Sequence, residues 1–232
     1  MMVIRPDYIP EDYDRIAVTG DEQAFFQTEM RGRVNCVFMA RRIAGDFNAL
    51  ARHIHEQYPC RSSQISARRD VFKYLNHVAG QGDDMARAAR QVLADMTMLE
   101  QKLFTPDLRV IGPDYYIDPS IPYLHMDVGQ AMDEMGTFMC NYNDPVTAWA
   151  RNDECDNGLA LCREDPALVF NLKAGAKRHH FQVGDMVRQA AQFNLYDVPG
   201  FIHAAERATR EQPRFLLTGR GEDTDAVSPS LA

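Results

Sequence analysis

An α+β chain, with helices packed outside a β sandwich, jelly roll or barrel, is the fold class the sequence predicts. Three observations predict it. Apolar residues recur at helical spacing up to Pro106. Beyond Pro106 the apolar runs are short, and clusters of Gly, Pro, Asn and Asp separate them. The chain has 232 residues, 45% of them hydrophobic and 25% charged, which suits one large domain with a full core. Helices first and strands later suggest a helical layer outside the sheets. The expected organisation is one domain over 1–220, divided into a helical layer at 1–106 and a β core at 107–220. A flexible tail is expected at 221–232, which is polar.

The elements follow in order. Residues 1–20 hold two Pro and six charged residues and are expected to wrap the surface. Val34–Ala40 is apolar on both faces and bounded by Arg31-Gly32-Arg33, a buried strand or a helix start. Asp46 is an N-cap candidate for a helix to Tyr58, with Phe47, Leu50, Ile54 and Tyr58 on one face and Pro59 ending it. Arg69–Val78 reads as a second short helix. Asp83–Phe104 is the clearest helix: Asp83 and Asp84 open it, and Pro106 closes it. Met85, Ala89, Val92, Met96, Leu99 and Leu103 form its apolar stripe. Strands are then expected at Asp107–Ile111, Pro122–Asp127, Gly136–Tyr142, Ala167–Leu172, Phe181–Arg188, Asn194–Ile202 and Arg214–Thr218.

Composition excludes several classes. A net charge of −8 argues against sequence-independent binding to nucleic acid or anionic membrane, since both need a basic surface. No apolar run approaches the roughly 18–20 residues that span a bilayer, and the first residues lack a signal-peptide core. A cytoplasmic location is therefore expected. The cysteines, Cys36, Cys60, Cys140, Cys155 and Cys162, are odd in number and form no Cys-x-x-Cys. Free, buried thiols are expected. Cys155 and Cys162 flank an acidic loop and would be the pair to oxidise. Gly-x-Ser-x-Gly, Walker, Gly-x-Gly-x-x-Gly and His-Glu-x-x-His motifs are absent.

Seven histidines remain. His53 and His55 are two apart on a helix and face different sides. His77 ends a helix, where a cation complements the dipole. His179 and His180 follow Lys177-Arg178 in a turn-like stretch and read as a solvated loop. His125 differs. It sits in Tyr123-Leu124-His125-Met126-Asp127, and on a strand His125 and Asp127 leave the same face, about 7 Å apart at Cα. Both then reach one metal ion. His203, after the turn at Asp197-Val198-Pro199-Gly200, is the candidate third ligand. Two His and one carboxylate on one face of a metal leave positions open, the arrangement of non-haem Fe(II) oxygenases. Arg214 lies eleven residues after His203 in an apolar run. Its planar fork suits a carboxylate. A salt bridge to Glu206 or Asp185 is the structural alternative.

His125-x-Asp127, then His203, then Arg214 resembles the pattern of the Fe(II)/2-oxoglutarate-dependent oxygenases, double-stranded β-helix proteins related to the cupins. The resemblance covers about 100 residues, Pro122 to Arg220. It implies a double-stranded β-helix (jelly-roll) core with the N-terminal helices packed outside. It also implies Fe(II) on His125, Asp127 and His203, with Arg214 binding the distal carboxylate of the cosubstrate 2-oxoglutarate. Dioxygen would then bind, oxidative decarboxylation of 2-oxoglutarate would give succinate, and the oxidised iron would remove a hydrogen from a small-molecule or peptide substrate. One departure is Leu216, where many members carry a small hydroxyl residue. Tyr142, Thr218 or Tyr196 would have to supply that donor, and Arg220 is a second Arg candidate. The polar, aromatic stretch Asn141–Trp149 would line the site's mouth or form an ordinary loop. Three alternatives compete: a cupin-like metal sensor or store, a metal-assisted hydrolase with Glu206 or Asp185 as base, and an interaction domain in which His125 and His203 never meet.

Overall fold

The computed structural model describes residues 5–58, 68–113, 123–127, 135–160, 169–192 and 194–221. Pro59, Cys60, Pro122, Cys162 and the tail beyond Gly221 lie outside them, and so does the proposed Cys155–Cys162 pair. Among the described residues the fold is mixed α+β, with two mostly antiparallel sheets and four α-helices. No helix among them is long and apolar enough to cross a membrane.

Three helices form where the spacing predicts, and a fourth, Glu22–Gln27, was not expected. Asp46 caps α2 (Phe47–Gln57) by accepting from the Ala49 N–H at 2.8 Å. Asp83 caps α4 (Asp84–Gln101) by accepting from the Ala86 N–H at 2.7 Å. Two further helices are α1 (Glu22–Gln27) and α3 (Arg68–Ala79). The end of α4 differs from expectation. The helix stops at Gln101, and Leu103 turns out of it with φ 61 and 58% exposure, so it leaves the apolar stripe. The next residue already belongs to β3 (Phe104–Ile111). Pro106 therefore sits inside a strand rather than closing a helix. It is tolerated because β3 is the outermost strand of its sheet, where a missing N–H leaves no ladder partner unserved.

The larger sheet also takes in β1 (Ile16–Val18), β2 (Cys36–Met39), β5 (Thr137–Asn141), β9 (Met186–Gln189) and β11 (Arg214–Gly221), in the order β1-β2-β9-β5-β11-β3. The N-terminal segment thus enters the sheet instead of only wrapping it. Ile9, Tyr13 and Ile16 are buried, and β1 pairs with β2 in parallel. The smaller sheet holds β4 (Leu124–His125), β6 (Ala148–Trp149), β7 (Val169–Phe170), β8 (His179–His180) and β10 (His203–Ala204), in the order β7-β4-β10-β6-β8. Two expectations fail here. His179 and His180 form a strand paired with β6, and His179 stacks on Trp149 at 4.4 Å. Asn194–Ile202 is not a strand. The Asn194 side chain donates to the Ala191 and Val198 carbonyls and accepts from the Val198 N–H, which ties the segment into a turn.

Strand alternation gives the larger sheet two different faces. Phe138, Cys140, Tyr142, Phe215 and Leu217 face the helices, packed with Leu50, Ile54, Val92 and Leu99. Met139, Val187 and Leu216 face the other way, packed with Trp149, Phe181 and Phe201 from the smaller sheet's side. A buried ion pair joins α4 to the sheet layer. Arg41 grips Asp95 with two nitrogens at 2.6 and 2.7 Å, and the Tyr142 hydroxyl donates to the same carboxylate at 2.8 Å. Removing the carboxylate strands a buried cation. Asp95→Ala is therefore expected to cost about 3–5 kcal/mol, and Tyr142→Phe about 1 kcal/mol, in urea unfolding.

Burial pushes the Asp185 carboxyl up to about 6, against the pull of the hydrogen bonds it accepts from the Gln182 N–H and the Tyr8 hydroxyl. The folded chain thus holds this proton more tightly than the unfolded chain, whose carboxyl titrates near 3.8. The stabilisation is complete below that value and is lost as pH rises through about 6. Asp185→Asn cannot ionise. Relative to wild type, it should gain about 1 kcal/mol in urea unfolding on going from pH 5 to pH 8.

Candidate metal centre

The site is built on the middle of the smaller sheet. In β10, His203 pairs directly with His125 of β4 on one side and with Trp149 of β6 on the other. Directly opposed residues share a face, so both imidazoles point between the sheets, with ring centroids 4.5 Å apart. Asp127 follows just past β4, and its carbonyl accepts from the Gln192 N–H at 2.7 Å. Asp127 Oδ1 lies 3.6 Å from His203 Nε2 and 4.0 Å from His125 Nε2. The three residues offer one ligand atom each, all within 4.8 Å of one another. His203 is deep, with 9% of its side chain exposed. His125 and Asp127 are 33% and 26% exposed, so the group opens to solvent on one side.

Both imidazoles are held in the same tautomer. His125 Nδ1 lies 3.1 Å from the Tyr123 carbonyl, and His203 Nδ1 lies 3.2 Å from the Phe201 carbonyl. A carbonyl only accepts, so each Nδ1 carries the proton and each Nε2 presents a lone pair. Burial pushes His203 down to about 4; the Asp127 charge opposes this, and His125 and Arg214 reinforce it. Burial works to raise Asp127, but His203, His125, the Gln189 hydrogen bond and Arg220 together hold it below its ordinary value. Near neutral pH the buried His203 is neutral beside an anionic carboxylate, the protonation that a divalent cation requires.

Arg214 lies on the facing sheet. It shares the inward face of β11 with Leu216 and Thr218, and it is buried at 3% exposure. Neutral groups are among its partners: Asn141 Oδ1 accepts from Nη2 at 3.0 Å, and the Thr147 hydroxyl accepts from the same nitrogen. The acids considered as its partners have their own contacts. Glu206 stands 3.6 Å from Arg178 and 3.5 Å from His180, while Asp185 accepts from Tyr8 and Gln182. Neither belongs to the group formed by His125, Asp127 and His203.

The other expected site residues divide. Tyr142 is on the opposite, helix-facing side of its sheet, its hydroxyl given to Asp95, so it does not join the inward group. Tyr196 also packs against the helix-side core. Thr218 is inward, with its hydroxyl on the Asp107 carbonyl at 3.3 Å. Arg220 is exposed at the end of β11, and its charge reaches Asp127. Leu216 packs in the core between the sheets. The hydroxyl beside Arg214 comes instead from Thr147, inside the Asn141–Trp149 stretch. Within that stretch Asn141, Thr147 and Trp149 are buried, while Asp144 at the bend between them is exposed.

Gln189 was not foreseen. It ends β9, and its Nε2 donates to Asp127 Oδ2 at 2.8 Å. The expected strand Phe181–Arg188 stopped one residue short of it. Alternation carried one step further would have placed Gln189 on the inward face with Val187.

Comparison with family models, curated proteins and solved structures found no match to the chain. The site therefore rests on its own geometry. Thr147→Val removes a hydrogen bond to a buried charge and is expected to lower the free energy of unfolding by about 2 kcal/mol, read from the urea midpoint.

Proposed function

We propose that the chain is an Fe(II)- and 2-oxoglutarate-dependent oxygenase built on a double-stranded β-helix. One observation carries this reading. His125, Asp127 and His203 bring two imidazole nitrogens and one carboxylate oxygen within 4.8 Å of one another, and a buried arginine, Arg214, faces inward from the opposite sheet. Two His and one carboxylate suit non-haem Fe(II) and leave coordination positions for a chelating cosubstrate. A guanidinium buried among Asn141 and Thr147 suits a carboxylate, and Thr147 places a hydroxyl beside it where Leu216 has none.

Strand pairing supports the fold half of the proposal. Leaving β7 aside, the strands from β3 onward pair first with last, second with seventh, third with sixth and fourth with fifth. These are β3 with β11, β4 with β10, β5 with β9 and β6 with β8. A long antiparallel ribbon rolled up so that successive pairs alternate between two sheets, as in a jelly roll, would give this pairing.

When bound, iron and 2-oxoglutarate would activate dioxygen, which supplies the oxidising equivalents. The chain's own residues orient and exclude. His203 and Asp127 hold their protonation states, the Tyr123 and Phe201 carbonyls fix the imidazoles, and Arg214 with Thr147 orients a carboxylate between the sheets. The aromatic packing of Trp149, Phe181 and Phe201 keeps water from the deep side.

Anaerobic titration of metal-free protein with Fe(II) and 2-oxoglutarate tests the proposal. A weak visible charge-transfer band is expected in the wild type, and it should vanish in His125→Ala and in Arg214→Ala. Metal binding without the band, insensitive to Arg214→Ala, would leave a cupin-like metal-binding protein and refute the oxygenase.

A further inference from the structure

We propose that Gln189 is a positioning residue of the metal site, holding the Asp127 carboxylate so that one oxygen faces the two histidines. The proposal rests on the metal reading of His125, Asp127 and His203. Gln189 is 2% exposed and points between the sheets from the end of β9. Its Nε2 donates to Asp127 Oδ2 at 2.8 Å and lies 3.4 Å from His203 Nε2. With Oδ2 engaged, Oδ1 is the oxygen turned toward both imidazoles, at 3.6 and 4.0 Å. A carboxylate held in this way offers a cation one oxygen rather than two and leaves more of the coordination sphere open.

The other end of the amide is the second observation. Gln189 Oε1 is buried and has no hydrogen-bond partner among the described residues. A buried acceptor without a donor has lost its water and gained nothing in return. A side chain whose task was only to fill the core would do better as an apolar residue of similar volume. The orphan oxygen makes physical sense if a donor enters the site with the metal: a water or hydroxyl group seated between Gln189 and the three ligand atoms. Gln189 thus acts through Asp127 at one end and through the incoming ligand at the other.

Co(II) added to metal-free protein tests this, because its visible bands report both affinity and coordination number. Gln189→Met keeps the volume and removes both polar contacts. The variant is expected to bind Co(II) roughly 10- to 100-fold more weakly, with altered band intensities as Asp127 is released. The metal-free variant loses the hydrogen bond to Asp127 but also the unsatisfied oxygen, so it should unfold in urea close to the wild-type midpoint. A Gln189 that served only the fold would give the opposite pair of results. A lowered urea midpoint or an unfolded variant, with Co(II) binding unchanged in whatever folds, would overturn the proposal. Failure of the metal reading itself looks different: wild type would then take up no Co(II), or would take it up equally well after His203→Ala.

Discussion

Every feature of the candidate site depends on the register in which β10 is held between β4 and β6. The strand is two residues long, and it pairs on both edges. Side chains along a strand alternate faces, so a slip of one residue would turn His203 outward and put an aliphatic neighbour in its place. Ile202 and Ala204 belong to the apolar cluster on the outer face of the smaller sheet, with Leu124, Met126 and Phe170. That cluster locks the register. The apolar residues outside hold the polar ones inside.

The space between the sheets carries an unusual polar load for a core. Asn141, Thr147, Gln189, His203 and Arg214 are all buried there or at its edge. Each dilutes the apolar packing that would otherwise join the sheets, and each must find partners. Asn141 and Thr147 accept from Arg214 Nη2, Gln189 donates to Asp127, and backbone carbonyls accept from the imidazole Nδ1 groups. Cohesion comes mainly from the other face, through the large helix-side cluster and the Arg41–Asp95–Tyr142 clamp, while the stack of Tyr13, Trp149 and Phe181 supplies the apolar part of the space between the sheets. The division is spatial. One face of the larger sheet holds the fold together, which frees the other face to hold charge.

Legibility in the sequence followed the range of the interactions. Caps and apolar stripes act within one or two turns, so Asp46, Asp83 and the face through Ala89, Val92, Met96 and Leu99 were readable directly. His125 and Asp127 were readable as a pair because a two-residue offset fixes a shared face. The end of α4 was not, because Pro106 signals a break in a helix and is equally at home on an edge strand. Tyr142 and Thr147 show the same boundary. Both sit in or beside the same polar stretch, yet alternation sends Tyr142 to the helices and a later turn brings Thr147 back to Arg214. Gln189 was readable only as an inward residue one step past Val187; its partner was not, since Asp127 is 62 residues away in the chain.

The sequence by itself determined which residues have the chemistry for a metal site, where the helices begin, and that short strands follow them. It did so because residue type, capping and periodicity are local properties. Only the tertiary structure decided that His203 meets His125, that Thr147 rather than Tyr142 stands beside Arg214, and that Gln189 holds Asp127. Those contacts are set by which strands pair, in which register, and which face each side chain leaves. The pairings join residues tens of positions apart, and burial of the whole apolar surface at once selects them.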